Sequence, residues 1–390
     1  MPCATYNILM YSHDTYGLGH IRRTMAIASH LREEGVNVLI LTGSPIAGRF
    51  KFAEGIDFVR IPGMIKKSNT VYVPHSIRVD PCHAIDIRKE IILATARAFD
   101  PDLFIVDKVP VGLKGEVLPT LEWFRGHRPR ARIVLGLRDI LDDAESTRDE
   151  WRRKGFAQVL RELYSEIWVY GDRDMYDPLT EYDIPAEIAS KTVFCGYIPR
   201  PLPAEKYFRR KNDRPRVVVT TGGGGDGYAV LDNFLRMLEE GGPVEYDALL
   251  VTGPFMARDR LDELAQRCKK VGVKIATFMK SLERKLAEAD LVVSMGGYNT
   301  VCEILSLRKP SLLIPRDTPR REQLIRAEVM SRRGLVDYIK WGDLEPGLLR
   351  SRIDALLADP EPIRRAVAEF SMTGLDVMRA RLSAFRERRG

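Results

Sequence analysis

Three glycine-rich turns hold the side chains with chemistry in them. The first is Ser12-His13-Asp14-Thr15-Tyr16-Gly17-Leu18-Gly19-His20-Ile21-Arg22-Arg23. It follows a strand-like run and precedes a helical one, at the carboxyl end of a strand, where open α/β sheets bind ligands. Gly17 and Gly19 permit a tight turn and close approach of backbone to ligand. His20 would then start a helix, with a pKa near enough to neutrality to accept or donate a proton. A helix N-terminus favours its neutral form, as a base requires. His13, at the strand end, is the second candidate base. The plainer alternative for His20 is a helix cap or a structural hydrogen bond, and His13 has no further pattern around it to mark it as functional. The third glycine of the dinucleotide fingerprint is missing, so this is a different turn.

The second turn, Thr220-Thr221-Gly222-Gly223-Gly224-Gly225-Asp226-Gly227, follows another strand-like run. Its consecutive glycines Gly222, Gly223, Gly224 and Gly225 expose backbone N–H groups, and the next helix adds its positive end, which suits a diphosphate. No Walker lysine is present. The third turn, Ser294-Met295-Gly296-Gly297-Tyr298-Asn299-Thr300-Val301-Cys302-Glu303, repeats the arrangement. Asn299 and Thr300 are caps or phosphate donors. Glu303 is placed either to bind ribose hydroxyls or to serve the helix end. Past the next strand come Arg316, Arg320, Arg321, Glu322 and Gln323, near the same ligand-facing edge. Arg316 and Arg320 are candidates for charge-assisted bonds to a phosphate. A phosphate-bearing ligand in a cleft, with His20 opposite, is an arrangement for attack on the carbon beside the leaving phosphate.

These turns need two α/β scaffolds. In the first half, Ile8 to Ser12, Val36 to Thr42, Leu103 to Val106, Arg132 to Leu137, Glu166 to Tyr170 and Thr192 to Phe194 read as strands, with helices at Thr24 to Glu34 and Arg88 to Ala98. Val-, Ile- and Leu-rich strands separated by helices indicate a mostly parallel sheet covered on both faces. Pro199, Pro201 and Pro203 then read as a stiff linker, extended by the polar run Arg209 to Arg214. A second series starts at Val217, with strands at Tyr246 to Thr252, Lys274 to Thr277, Leu291 to Ser294 and Ser311 to Ile314. Its helices are Tyr228 to Glu239, Arg258 to Cys268, Leu282 to Ala289 and Thr300 to Leu307. A helix from Glu361 to Phe370, a break at Gly374 and a last amphipathic helix from Val377 to Glu387 close the chain. The expected organisation is an N-terminal Rossmann-like, acceptor-side domain at 1–195, a linker at 196–214, a C-terminal Rossmann-like domain binding the nucleotide at 215–370, and a C-terminal helix at 371–390. A chain of 390 residues is long enough for two domains of ordinary size.

Composition narrows the classes. No run of about twenty apolar residues is present to span a membrane. The N-terminus lacks the pattern of a signal peptide, so the expected address is cytoplasmic, with the inner face of the membrane as the peripheral alternative. The apolar and basic stretch Gly63-Met64-Ile65-Lys66-Lys67 reads as a loop that either touches a membrane surface or buries Met64. Five scattered cysteines suggest neither a disulfide framework nor a zinc site, and Cys302 should pack in a buried helix. The formal charge of +7, partly at Arg320-Arg321, Arg332-Arg333, Arg364-Arg365 and the tail, favours an anionic partner. No nucleic-acid-binding signature accompanies it. Asp139, Asp142 and Asp143 read as a solvated acidic loop, and no Asp-x-Asp metal clamp stands beside the glycine turns.

The segment 217–335 resembles the nucleotide-binding domain of the MurG family of bacterial cell-wall N-acetylglucosaminyltransferases. Residues 222–227 are similar to its phosphate-facing loop, and Phe278-Met279 to the stretch beside the uracil base. Gly296-Gly297 through Glu303 resembles its glycine…glutamate segment, in which the glutamate binds ribose. Glu322-Gln323 resembles the end of that site, where the glutamine contacts the donor sugar. Arg321 and Glu322 stand where the family has Asp and His, which weakens the case for N-acetylglucosamine as the sugar. The Gly17-Leu18-Gly19-His20 turn is similar both to that family's first loop and to that of the nucleotide-sugar hydrolase of pseudaminic acid synthesis. The resemblance implies a GT-B fold, two Rossmann-like domains facing each other across a cleft, with terminal helices that cross back to the N-terminal domain. It further implies an inverting transferase using a nucleoside-diphosphate sugar, UDP-linked by this likeness, as a substrate rather than a cofactor, with no metal required. The acceptor is unidentified, and lipid-linked and phosphorylated acceptors both suit the charge. A hydrolase with water activated by His20, a 2-epimerase and a non-catalytic nucleotide-sugar-binding subunit are the other readings.

Overall fold

The computed structural model describes residues 5–14, 19–49, 51–66, 71–208, 214–279 and 281–388. Gly17 lies outside the described residues, as does Lys67. The chain divides into two compact units, one of Met1–Ile198 with Thr373–Gly390 and one of Pro199–Met372.

The N-terminal unit runs β1 (Tyr6–Ser12), α1 (Gly19–Leu31), β2 (Val36–Thr42), β3 (Ile56–Arg60), β4 (Met64–Lys66), β5 (Tyr72–Pro74), α2 (Pro81–Phe99) and β6 (Leu103–Asp107). It continues through α3 (Leu118–His127), β7 (Arg132–Arg138), α4 (Ala144–Arg153), α5 (Phe156–Leu163), β8 (Glu166–Tyr170), α6 (Pro178–Glu181), α7 (Ala186–Ala189) and β9 (Thr192–Phe194). Seven strands form one parallel sheet in the order β3-β2-β1-β6-β7-β8-β9. Every residue of β6 and β8 is buried, as expected when helices cover both faces. Leu9, Tyr11, Phe104, Val106, Leu121 and Phe124 are part of the core on one face.

The C-terminal unit runs β10 (Arg216–Thr220), α8 (Tyr228–Gly241), β11 (Asp247–Val251), α9 (Arg258–Val271), β12 (Lys274–Ala276), α10 (Leu282–Glu288) and β13 (Leu291–Ser294). Then follow α11 (Tyr298–Ser306), β14 (Ser311–Leu313), α12 (Glu322–Arg332), β15 (Asp337–Tyr338), α13 (Pro346–Ala358) and α14 (Glu361–Glu369). Its six-stranded sheet is also parallel, in the order β12-β11-β10-β13-β14-β15. Each unit is therefore a doubly wound, Rossmann-like α/β domain. The last helix, α15 (Gly374–Glu387), belongs to the N-terminal unit. There Phe385 stacks on Trp168 with ring centroids 6.4 Å apart, and Arg381 pairs with Glu166.

Several elements differ from the sequence reading. Helix α1 begins five residues before Thr24, because the Asp14 carboxylate accepts the Ile21 N–H at 3.1 Å and satisfies one of its free donors. Helix α2 begins at Pro81 rather than Arg88: Asp80 accepts the Cys82 N–H at 2.8 Å, and proline suits the first turn. Met64–Lys66 is no loop but pairs antiparallel with Tyr72–Pro74, and Met64 packs inward beside Ala84, Ile85 and Leu113. The cluster Asp139, Asp142 and Asp143 is not a solvated loop. Asp139 and Asp142 are buried, Asp139 accepts the Tyr197 hydroxyl at 3.0 Å, and Asp143 caps α4 through the Ser146 N–H. Gly374 starts α15 instead of breaking the chain, and a Cβ there would lie 2.6 Å from the Tyr197 carbonyl oxygen.

Candidate functional site

In the N-terminal sheet the strand order reverses direction between β1 and β6. Such a switch point opens a crevice at the carboxyl ends of the two strands. Strand β1 leads to His13 and Asp14, and β6 ends in Asp107. Helix α1 returns His20 and Arg23, one turn apart, to the same place. His20 Nδ1 lies 2.5 Å from Asp107 Oδ2, and Arg23 Nη2 donates to Asp107 Oδ1 at 2.5 Å. A carboxylate only accepts, so His20 carries its proton on Nδ1 and leaves Nε2 with a free lone pair. Arg23 Nη2 is also 3.1 Å from His20 Nδ1. Both atoms bear hydrogens, so they share the carboxylate rather than bond to each other.

The electrostatics suit a base. Burial lowers the His20 pKa to about 4, although Asp107 pulls it up. Burial alone would raise Asp107, but Arg23 first and then His20 hold it well below the usual carboxylate range. His20 is therefore a neutral imidazole from about pH 4 upward, fixed in one tautomer, with 14% of its side chain exposed. Asp14 fixes the turn itself. Buried, it accepts from Ile21 N–H and from the Thr42 hydroxyl at 2.5 Å, and burial raises its pKa to about 6.

His13 is differently placed. It is buried, with its ring 5.7 Å from that of His20 at 69° and its Nδ1 3.3 Å from the Tyr11 hydroxyl. Tyr11 donates to Glu116, whose two oxygens take Arg88 Nε at 2.5 Å and Nη2 at 2.6 Å. Arg88 Nη1 donates to the Pro62 carbonyl at 2.5 Å. His13 thus ends a buried structural network, and burial first, then Lys108 and His20, lower its pKa well below the ordinary value. The sequence reading missed Asp107, Glu116 and Arg88. A lone carboxylate closing the otherwise apolar Leu103–Asp107 strand was the available signal for the first.

In the C-terminal unit the parallel strands put the turns after β12, β10, β13 and β14 on one edge. Gly222, Gly223 and Gly225 are exposed. Gly224 has φ +89°, and a Cβ there would sit 2.1 Å from the Thr252 carbonyl oxygen, so only glycine fits. A side chain at Gly222 would begin 4.0 Å from Thr300 Oγ1, which brings the second and third turns together. Helix α11 opens at Gly297 with no side-chain cap. The turn before it is held by the buried Arg326, missed in the sequence, which donates to the Gly296 carbonyl at 3.1 Å. Asn299 is engaged by Arg200, and Glu303 is buried on α11. Phe278 is 54% exposed and Met279 half-buried. Glu322 is buried at the start of α12, and its Oε1 accepts from Arg316 Nη2 at 3.1 Å. Gln323 Oε1 accepts the Arg316 N–H at 3.2 Å, and Arg320 is half-buried. Gly19 opens α1 next to His20.

Residues 237–377 match the family described as the glycosyltransferase family 28 C-terminal domain. Among curated proteins, the chain is 24% identical over 173 residues to the UDP-N-acetylglucosamine–N-acetylmuramyl-(pentapeptide) pyrophosphoryl-undecaprenol N-acetylglucosamine transferase of Alkaliphilus oremlandii, covering 44% of this chain and 47% of that one. The protein of the same name from Agrobacterium fabrum is 30% identical over 129 residues, 32% of this chain and 34% of the relative. The matched segments thus span about half or less of these relatives. Among solved structures, the calicheamicin glycosyltransferase CalG4 superposes with a TM-score of 0.63 at 17% identity, over 98% of this chain and 99% of that one. Acinetobacter baumannii MurG does so with a TM-score of 0.61 at 13% identity, over 97% and 99%. The chain has the two Rossmann-like domains of the GT-B glycosyltransferase fold, and its residues 237–377 are related to the glycosyltransferase family 28 C-terminal domain.

Proposed function

We propose that the protein is an inverting glycosyltransferase that moves a sugar from a nucleoside-diphosphate donor to an acceptor hydroxyl. The observation that carries this reading is the His20–Asp107 pair: a neutral, oriented imidazole with a free Nε2 at the sheet's switch point. His20 Nε2 removes the acceptor hydroxyl proton as that oxygen bonds to the anomeric carbon. The bond from that carbon to the diphosphate breaks, and the nucleoside diphosphate leaves with the electron pair. One displacement inverts the anomeric centre. Asp107 stabilises the imidazolium that forms, and Arg23 keeps Asp107 ionised and in place.

The C-terminal unit takes the donor in this account. The glycine turn at 222–225, with Gly223 and Gly225 exposed, and the uncapped start of α11 supply positive potential for the departing diphosphate. Glu303 accepts from ribose hydroxyls, Phe278 stacks on the base, and Glu322 with Gln323 meets the sugar. UDP is the favoured nucleotide because the curated relatives that match part of the chain carry a UDP-sugar in their names. A phosphate-bearing acceptor suits the +7 charge.

The test is incubation of purified protein with a panel of nucleoside-diphosphate sugars in EDTA, following thermal stabilisation and nucleotide release. One donor should stabilise the protein and be cleaved slowly, and cell extract that contains acceptor should speed release. Release that extract leaves unchanged would indicate water as the acceptor, making the protein a nucleotide-sugar hydrolase with the same base. Absence of any stabilising donor would refute the reading.

A further inference from the structure

Arg316 lies between the glycine turn and the start of α12, where its Nη1 donates to the Thr318 carbonyl at 3.4 Å and three further contacts fix it. Its N–H donates to Gln323 Oε1, its Nη2 donates to Glu322 Oε1 at 3.1 Å, and its Nε lies 3.4 Å from Asp226 Oδ2. The two carboxylates differ sharply. The Glu322 side chain is 7% exposed, and its second oxygen, Oε2, is buried with no hydrogen-bond partner among the described residues. The Asp226 side chain is 65% exposed and belongs to the glycine turn, between Gly225 and Gly227. One guanidinium therefore serves two carboxylates beside the glycine turn, where the proposed diphosphate would bind.

A third anionic group beside them adds like-charge repulsion, which is relieved when one carboxylate leaves. Glu322 cannot leave, because it is buried and stabilised by the N-terminus of α12. Asp226 can, because water accepts it readily and an exposed ion pair contributes little. Resting on the donor reading above, we propose that Asp226 is a built-in competitor for the donor diphosphate. It occupies Arg316 in the empty site and is exchanged for a phosphate oxygen when the nucleotide binds. Arg316 keeps Glu322 throughout, so the unpartnered Glu322 Oε2 stays in position as an acceptor for a donor-sugar hydroxyl.

This makes a prediction of unusual sign, since removing a charged contact strengthens binding. Asp226→Asn should bind nucleoside diphosphate about two- to fivefold more tightly than the wild type. Arg316→Gln should bind about ten- to a hundredfold more weakly, and adding Asp226→Asn to it should then give no gain. The experiment is calorimetric titration of the full-length protein with UDP, GDP, ADP and dTDP, and with inorganic pyrophosphate, which has neither base nor sugar. Thermal melts check that each variant is folded. Should Arg316→Gln fail to fold, Asp226→Asn, a change at an exposed side chain, decides the question alone. Binding by Asp226→Asn no tighter than wild type overturns the exchange while leaving the donor reading intact. Wild type that binds none of the four nucleotides overturns both.

Discussion

His20→Ala should lower donor turnover by about a hundred- to ten-thousandfold, the usual contribution of a positioned general base, while donor affinity stays as in the wild type. The two effects separate because His20 sits on α1 in the N-terminal unit, whereas the residues assigned to the nucleotide all lie in the C-terminal unit. The pH dependence carries the same signature. Burial lowers the His20 pKa to about 4, so the base form persists as the medium is acidified through the range where an ordinary histidine protonates. The acid limb of kcat/KM should therefore lie near pH 4 rather than 6.5. The linked stability has the same direction: a histidine whose folded pKa is depressed stabilises the fold above its unfolded pKa, and that contribution is lost as pH falls from about 6.5 towards 4. Rates are thus to be compared where circular dichroism shows native structure. An alanine variant as active as wild type would remove His20 from the chemistry.

Arg88→Met should cost about 3–5 kcal/mol of stability, measured by urea denaturation. Arg88 and Glu116 are fully buried, and Arg88 covers both carboxylate oxygens while also donating to the Pro62 carbonyl. Removing the guanidinium leaves the buried Glu116 carboxyl with the Tyr11 hydroxyl as its one remaining side-chain donor among the described residues. The pair as a whole is a different matter. Two charges desolvated together gain little over apolar side chains of similar volume, so Arg88→Met combined with Glu116→Leu should recover much of the loss. A single variant as stable as wild type would show that water reaches Glu116. Because Tyr11 links this pair to His13, the network also bears on the turn that places His20.

The strands covered on both faces were the most legible part of the chain. Leu103 to Val106, Val217 onward and Leu291 to Ser294 are nearly continuous apolar runs, the pattern that burial on two faces requires. Strand β3 has no continuous apolar run to mark it, because as an edge strand it sets buried Ile56 beside exposed Asp57 and ends on exposed Arg60. Helix α4 left little apolar trace, since Thr147 is its only buried residue. Helix starts were misjudged where the cap came from outside the periodic segment, as Asp14 does for α1 and Asp80 for α2.

The candidate site divides along the same line. Glycine turns at strand ends are local patterns, and their shared edge follows from parallel pairing. The Asp107 partner of His20 is 87 residues away, and Glu116 is 28 residues from Arg88. Only the β1–β6 pairing brings Asp107 to His20, and no local pattern encodes that neighbour. The acidic run at Asp139 to Asp143 misled in the opposite way. Its charge suggests solvent, but one carboxylate is taken by a tyrosine hydroxyl and another caps a helix.

The most direct test of the central claim is calorimetric binding of UDP, GDP, ADP and dTDP, in EDTA, to wild type and to Glu303→Ala. The account predicts that one nucleotide binds the wild type with one-to-one stoichiometry, and that loss of the buried ribose acceptor weakens it by about tenfold or more. Equal binding by the two proteins, or none by the wild type, would contradict a nucleotide site at the glycine turns of the C-terminal unit.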